Sequence, residues 1–187
     1  KILLVIVLLT GQTYAEENVD PRQHQAFWLW SGVKASNALQ NAQTVYLHQG
    51  EVLERSGEAV FVRLGLPVSR LTFPSIWLTV RFTTLNVPED IQARIIRLMQ
   101  RWDAAGNTVV GLQVDFDAAT YHLADYACFL RQLRQQLPQR FALGVTGLLD
   151  WAKNGDIATL NALPIDELVV QSYQGRQTVK NYQDYLP

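Results

Sequence analysis

Two carboxylates, Asp115 and Asp117, stand one residue apart at the end of a dense apolar run, Val109-Val110-Gly111-Leu112-Gln113-Val114-Asp115-Phe116-Asp117. Side chains alternate along a strand, so both acids point the same way while Val114 and Phe116 point the other. Two strand rises separate their Cα atoms by about 6.6 Å. Burying a carboxylate is costly unless it is paired or put to use. A pair at the C-terminal end of a buried parallel strand, just ahead of a helix, sits where α/β proteins carry out their chemistry. The chemistry open to such a pair is proton transfer, with one carboxylate raising the pKa of the other by like-charge repulsion. The alternative is a structural pair that caps the next helix and binds loop amides.

Four more polar side chains are candidates for binding a ligand at the same mouth. His48 ends the stretch Thr44-Val45-Tyr46-Leu47-His48, Arg81 lies late in Ile76 to Phe82, Gln113 shares the face of Asp115, and Gln171 lies near the end of Glu167 to Ser172. His48 and Arg81 equally suit structural hydrogen bonds and ion pairs. Among the aromatics near strand ends, Trp151 and Tyr173 could stack on a ligand, whereas Trp28 and Trp30 are expected to fill a core or barrel floor. Three histidines without ligand spacing and a single cysteine give no reason to expect a metal. No dinucleotide fingerprint, phosphate loop or Gly-x-Ser-x-Gly elbow is present, so no cofactor is expected. A net charge of -1 offers no electrostatic case for nucleic acid. Cys128 falls within a helical pattern and is expected as a small buried hydrophobe.

The elements that must position these residues follow from the pattern. Lys1, the apolar run Ile2 to Leu9 and Thr13-Tyr14-Ala15 resemble a secretory signal over residues 1–15, cleaved after Ala15. The run is short for a bilayer span, so no stable membrane insertion is expected after cleavage, and the mature chain belongs in the periplasm or outside the cell. From Glu16 on, strands are expected at Ala26–Trp30, Thr44–His48, Ile76–Phe82, around Val109–Asp117, at Phe141–Thr146 and at Glu167–Ser172. Helices are expected over Ser31–Gln43, from Pro88 to Gly106, from Thr120 to Leu137 and near Asp156–Leu163. The segment Glu51–Ser75 lacks a helical period and reads as a β excursion with a strand at Val60–Leu64. Strand and helix therefore alternate, which predicts right-handed parallel βα units. The fold class is α/β, a (β/α)8 TIM-barrel-like fold, incomplete in this chain, with about six main parallel strands. Residues 16–187 read as the N-terminal part of such a domain. An open barrel of this kind would expose strand edges and dissolve poorly by itself.

The run Gly111-Leu112-Gln113-Val114-Asp115-Phe116-Asp117 resembles the signature of chitinase-like glycoside hydrolases: an acidic residue, Gly, apolar, Asp, apolar, Asp, aromatic, Glu. Gly111, Leu112, Val114, Asp115 and Phe116 match in place. Asp117 stands where the catalytic Glu would be, one methylene shorter, and Gln113 and Val110 replace acids. Gln171-Ser172-Tyr173-Gln174 falls where those enzymes carry Met-x-Tyr-Asp. Most of the mature chain is more closely similar to the bacterial domain-of-unknown-function family 3142, through Trp77–Phe82, Gly111–Asp117, Gly144–Trp151 and Glu167–Gln174. The resemblance implies a barrel related to glycoside hydrolases and assigns Asp117 as proton donor to a glycosidic oxygen, supported by Asp115. With both acids on one strand, only the plan in which a substrate acetamido group acts as nucleophile fits, with Tyr173 steering that group.

Three readings follow: a glycoside hydrolase acting on a polysaccharide or oligosaccharide, including 2-acetamido sugars; a lectin-like barrel that binds carbohydrate without cleaving it; and a structural envelope protein. A catalytic Asp117 is expected to be partly buried and to point into a groove.

Overall fold

The computed structural model describes residues 20–34, 37–117, 122–149, 151, 156–174 and 177–178. The signal segment and Thr120 as a helix cap lie outside these residues. Seven strands form one sheet: β1 (Ala26–Leu29), β2 (Thr44–Arg55), β3 (Glu58–Arg63), β4 (Ser75–Phe82), β5 (Val109–Asp115), β6 (Ala142–Leu148) and β7 (Glu167–Gln171). Their order is β1-β2-β4-β5-β6-β7, parallel throughout, with β3 antiparallel on β2. The six parallel strands and the β excursion between the second and third of them are those the alternating pattern calls for. β2 runs to Arg55 rather than stopping at His48, because its second half pairs with β3 as a hairpin.

The sheet is rolled. Tyr46 on β2 donates from its hydroxyl to Glu167 Oε1 on β7, 2.9 Å away. Trp28 Nε1 on β1 donates to Gln113 Oε1 on β5, also at 2.9 Å. In a flat sheet, four strand spacings of ~4.8 Å would hold β2 and β7 about 19 Å apart. Such contacts require a curled sheet, a half-barrel whose concave face gathers residues from both edges.

The convex face is the core. Val45, Leu47, Ile76, Leu78, Val80, Leu112, Val114, Leu143 and Val145 are buried there. They are covered by α1 (Glu89–Ala104) and α2 (Leu123–Gln136). Helix α1 starts after Pro88 with Glu89 and Asp90 in its first turn, where the helix dipole favours negative charge. Its stripe of Ile91, Ile95, Leu98, Met99 and Trp102 is buried. Gln136 Nε2 of α2 donates to Gln92 Oε1 of α1 at 3.1 Å, joining the helices. Cys128 is exposed, contrary to expectation. At about 100° per residue it turns away from the buried Tyr126, Ala127, Leu130 and Leu133 stripe.

The helix expected over Ser31–Gln43 is, among the described residues, a turn at Ser31–Gly32 and a 3-10 helix at Asn37–Asn41. Gly32 has φ +81°, outside helical conformation, and Ser31 spends its hydroxyl on His48 rather than on a helix cap.

Candidate functional site

β5 delivers Asp115 to the C-terminal end of the concave face as its last residue. The chain leaves the strand there, so Asp117 stands beyond it. Asp115 is buried, and Thr146 Oγ1 on β6 donates to its Oδ1 at 2.8 Å. Burial pushes the Asp115 pKa above the usual carboxylate range, the charge of Asp117 adds to the rise, and the Thr146 bond and Arg81 oppose it. Asp117 has a side chain 56% exposed. Arg81 Nη2 lies 3.7 Å from its Oδ2, and Gln171 Nε2 donates to its Oδ1 at 3.4 Å. The buried acid of the pair is therefore Asp115 and the rim acid is Asp117, whereas a catalytic Asp117 is expected to be partly buried. Alternation along a strand gives the shared direction of the two side chains, but not the point at which the strand ends.

Asp115 lines a cavity of about 320 Å3 together with Trp28, Trp30, Thr146, Val169 and Gln171. Trp28 and Trp30, expected in a core or barrel floor, are half-buried and both contribute walls to the groove. Trp28 stacks on Tyr46 with ring centres 4.1 Å apart and planes 8° apart, and Tyr46 lies 6.2 Å from Trp77. This aromatic row crosses β1, β2 and β4 on the concave face. Gly144 makes room opposite: a Cβ there would lie 3.0 Å from the Trp77 ring. Beneath, burial raises the pKa of Glu167 while the bond from Tyr46 lowers it. Burial and Glu167 together push the Tyr46 hydroxyl well above its ordinary value.

The model of a family described as a domain of unknown function (DUF3142) matches residues 70–180, more than half of the chain. The chain belongs to that family. No curated protein and no solved structure matches it.

The DUF3142 match spans β4 to β7, and so carries Arg81, Gln113, Asp115, Asp117, Thr146 and Gln171. Gln113 is fully buried behind Trp28, with its Oε1 also accepting from Thr79 Oγ1 at 3.2 Å. It backs the groove wall and does not line the cavity as a ligand-binding residue would. His48 is buried on the concave face, where its Nδ1 pairs with Ser31 Oγ at 2.8 Å and its ring lies 4.8 Å from Trp30. Burial lowers its pKa, against the charges of Glu51 and Asp115, which raise it. Trp151 is corrected: it is 3% exposed in the core, 6.0 Å from the Tyr126 ring. The residues after β6 turn it onto α2 instead of the mouth. Tyr173 is described for its backbone alone, in a two-residue strand paired with Gln177–Thr178. Its steering role falls outside the described side chains.

The sequence alone does not single out Thr146, Tyr46 and Glu167. Thr146 and Tyr46 sit inside apolar strands where a hydroxyl looks incidental, and Glu167 looks like a strand boundary. The available signal was period-two spacing, which puts Tyr46 on the face of His48, and Glu167 on the face of Gln171. Among the described residues, no three His, Cys, Asp or Glu side chains gather into a metal-binding group. No helix among them is long and apolar enough to cross a membrane.

Proposed function

We propose that this half-barrel is carbohydrate-active and cleaves a glycosidic bond by acid catalysis at the C-terminal mouth of its strands. One observation carries the reading: a buried carboxyl with a raised pKa, Asp115, lines a groove walled by two tryptophans. Tryptophan faces suit the apolar C–H faces of sugar rings, and a protonated acid is what a glycosidic oxygen needs in order to leave. The resemblance to chitinase-like enzymes made Asp117 the donor; the burial pattern favours Asp115. With Oδ1 accepting from Thr146, Oδ2 of Asp115 is left to carry the proton. Asp117, braced by Arg81 and Gln171, stands at the rim as the second carboxylate.

The lectin-like reading is favoured by a different fact. Asp117 is a half-exposed surface acid tied to neighbours, as a group relieved of chemistry would be.

The test is product release from acetamido-sugar and glucan polymers by the parent, Asp115→Asn and Asp117→Asn. Loss of a positioned general acid should lower turnover by about 100-fold or more. A loss confined to Asp115→Asn assigns that residue as the acid, and a loss confined to Asp117→Asn restores the assignment from the resemblance. Sugar binding without turnover in all three favours the lectin-like protein. Neither binding nor turnover removes the carbohydrate reading.

A further inference from the structure

Beside the groove lies a second cavity, of about 310 Å3, lined by Leu29, Trp30, Val33, Leu47 and Leu66 around Ser31 and His48. Trp30 lines both cavities and so joins one to the other. Among the described residues, three large hydrophobic side chains are exposed: Val33 at 61%, Leu66 at 42% and Leu168 at 43%. Two of the three are at this pocket. Its polar side chains, Ser31 and His48, are bonded to each other at 2.8 Å, and the other side chains of its wall are apolar. Apolar side chains held open to water on two sides of one concavity mark a binding surface.

We propose that this pocket receives the apolar aglycone of a glycoside whose sugar occupies the groove on the other side of Trp30, an inference that rests on the carbohydrate reading above. The ligand class is an amphiphile, a sugar carrying an alkyl, acyl or aryl group. The shared Trp30 fixes the order of its parts: sugar against the Trp28–Trp30 side, apolar group against Val33 and Leu66. A volume of about 310 Å3 is at the small end of the range for small-molecule sites, and suits a short chain or one ring.

The experiment is calorimetric titration of the full chain with methyl and hexyl glycosides of glucose and N-acetylglucosamine, and with hexanol. Each methylene fully removed from water is worth about fourfold in affinity, so two or more seated in the pocket give the hexyl glycoside at least a tenfold advantage. That hexyl-to-methyl ratio should fall toward one in Val33→Ser and Leu66→Ser, and persist in Leu168→Ser, which alters an exposed apolar residue elsewhere. Methyl glycoside binding with no gain for the hexyl form overturns the aglycone pocket and leaves the carbohydrate reading standing. A hexyl gain that survives both pocket variants also overturns it, as does hexanol binding as tightly as the hexyl glycoside. No binding of any glycoside removes both readings.

Discussion

The pKa of Asp115 is raised because the forces around it are unequal. Removal from water favours the neutral carboxyl, Asp117 pushes the same way, and Thr146 and Arg81 favour the ion without prevailing. Thr146→Val deletes the hydroxyl that donates to Oδ1 and keeps the shape of the side chain. The Asp115 pKa should then rise further, and the alkaline limb of the pH profile of turnover should move to higher pH. Carbon-13 titration of the Asp115 carboxyl reads the same change without a substrate, and an unmoved titration would show that the hydroxyl has no hold on this acid. At this scale the sequence made the acid pair legible, from two carboxylates ending an apolar run. It did not make legible which was buried, since that depends on β5 ending at Asp115, beside Thr146 of β6, and leaving Asp117 at the exposed rim.

At the scale of elements, the concave face works by trading bulk between strands. The Trp77 ring on β4 lies over Gly144 on β6, and Gly111 lets β5 and β6 come together. A Cβ at Gly111 would collide with the Ala142 backbone carbonyl oxygen. Because that atom is main chain and cannot swing aside, Gly111→Ala should destabilise the protein by about 3 kcal/mol or more, measured by urea unfolding. A loss below about 1 kcal/mol would mean that β5 and β6 have slack between them. The order of parallel strands was readable from alternating periodicities. The connection after β1 was not, because Ser31 and Gly32 serve the mouth of the half-barrel instead of starting a helix there.

At the scale of the molecule, two raised carboxyls give stability a pH dependence of definite sign. Asp115 and Glu167 both have folded pKa values above their ordinary ones, through burial in each case. Their contribution to stability is complete below the unfolded carboxylate pKa of about 4, and is lost as pH rises through the folded values. The exposed acids Asp20 and Asp156 go the other way. Hydrogen bonds from Arg22 and from Thr159 lower their pKa values, so their contributions are present above about pH 4 and lost in stronger acid. Melting temperature should therefore fall from mildly acidic toward neutral pH, and the fall should be smaller in a variant carrying Asp115→Asn with Glu167→Gln. Equal slopes in parent and variant would exclude both groups as its source. The curl of the sheet, which creates these burials, was expected only through the handedness of successive βα units. The contacts that set its radius join residues from opposite ends of the fold, and local patterns do not report them.

The bond from Tyr46 to Glu167 spans 121 positions of the chain. Loop closure over such a distance is entropically slow, and contacts of this range form late in folding. During synthesis the early strands leave the ribosome well before Glu167 does. The row of Trp28, Tyr46 and Trp77 must then wait for its acceptor, with aromatic faces that the folded half-barrel largely buries still open to water. A nascent chain of this protein thus passes through a stage in which the aromatic row of its concave face is also its stickiest surface, and the arrival of β7 ends that stage.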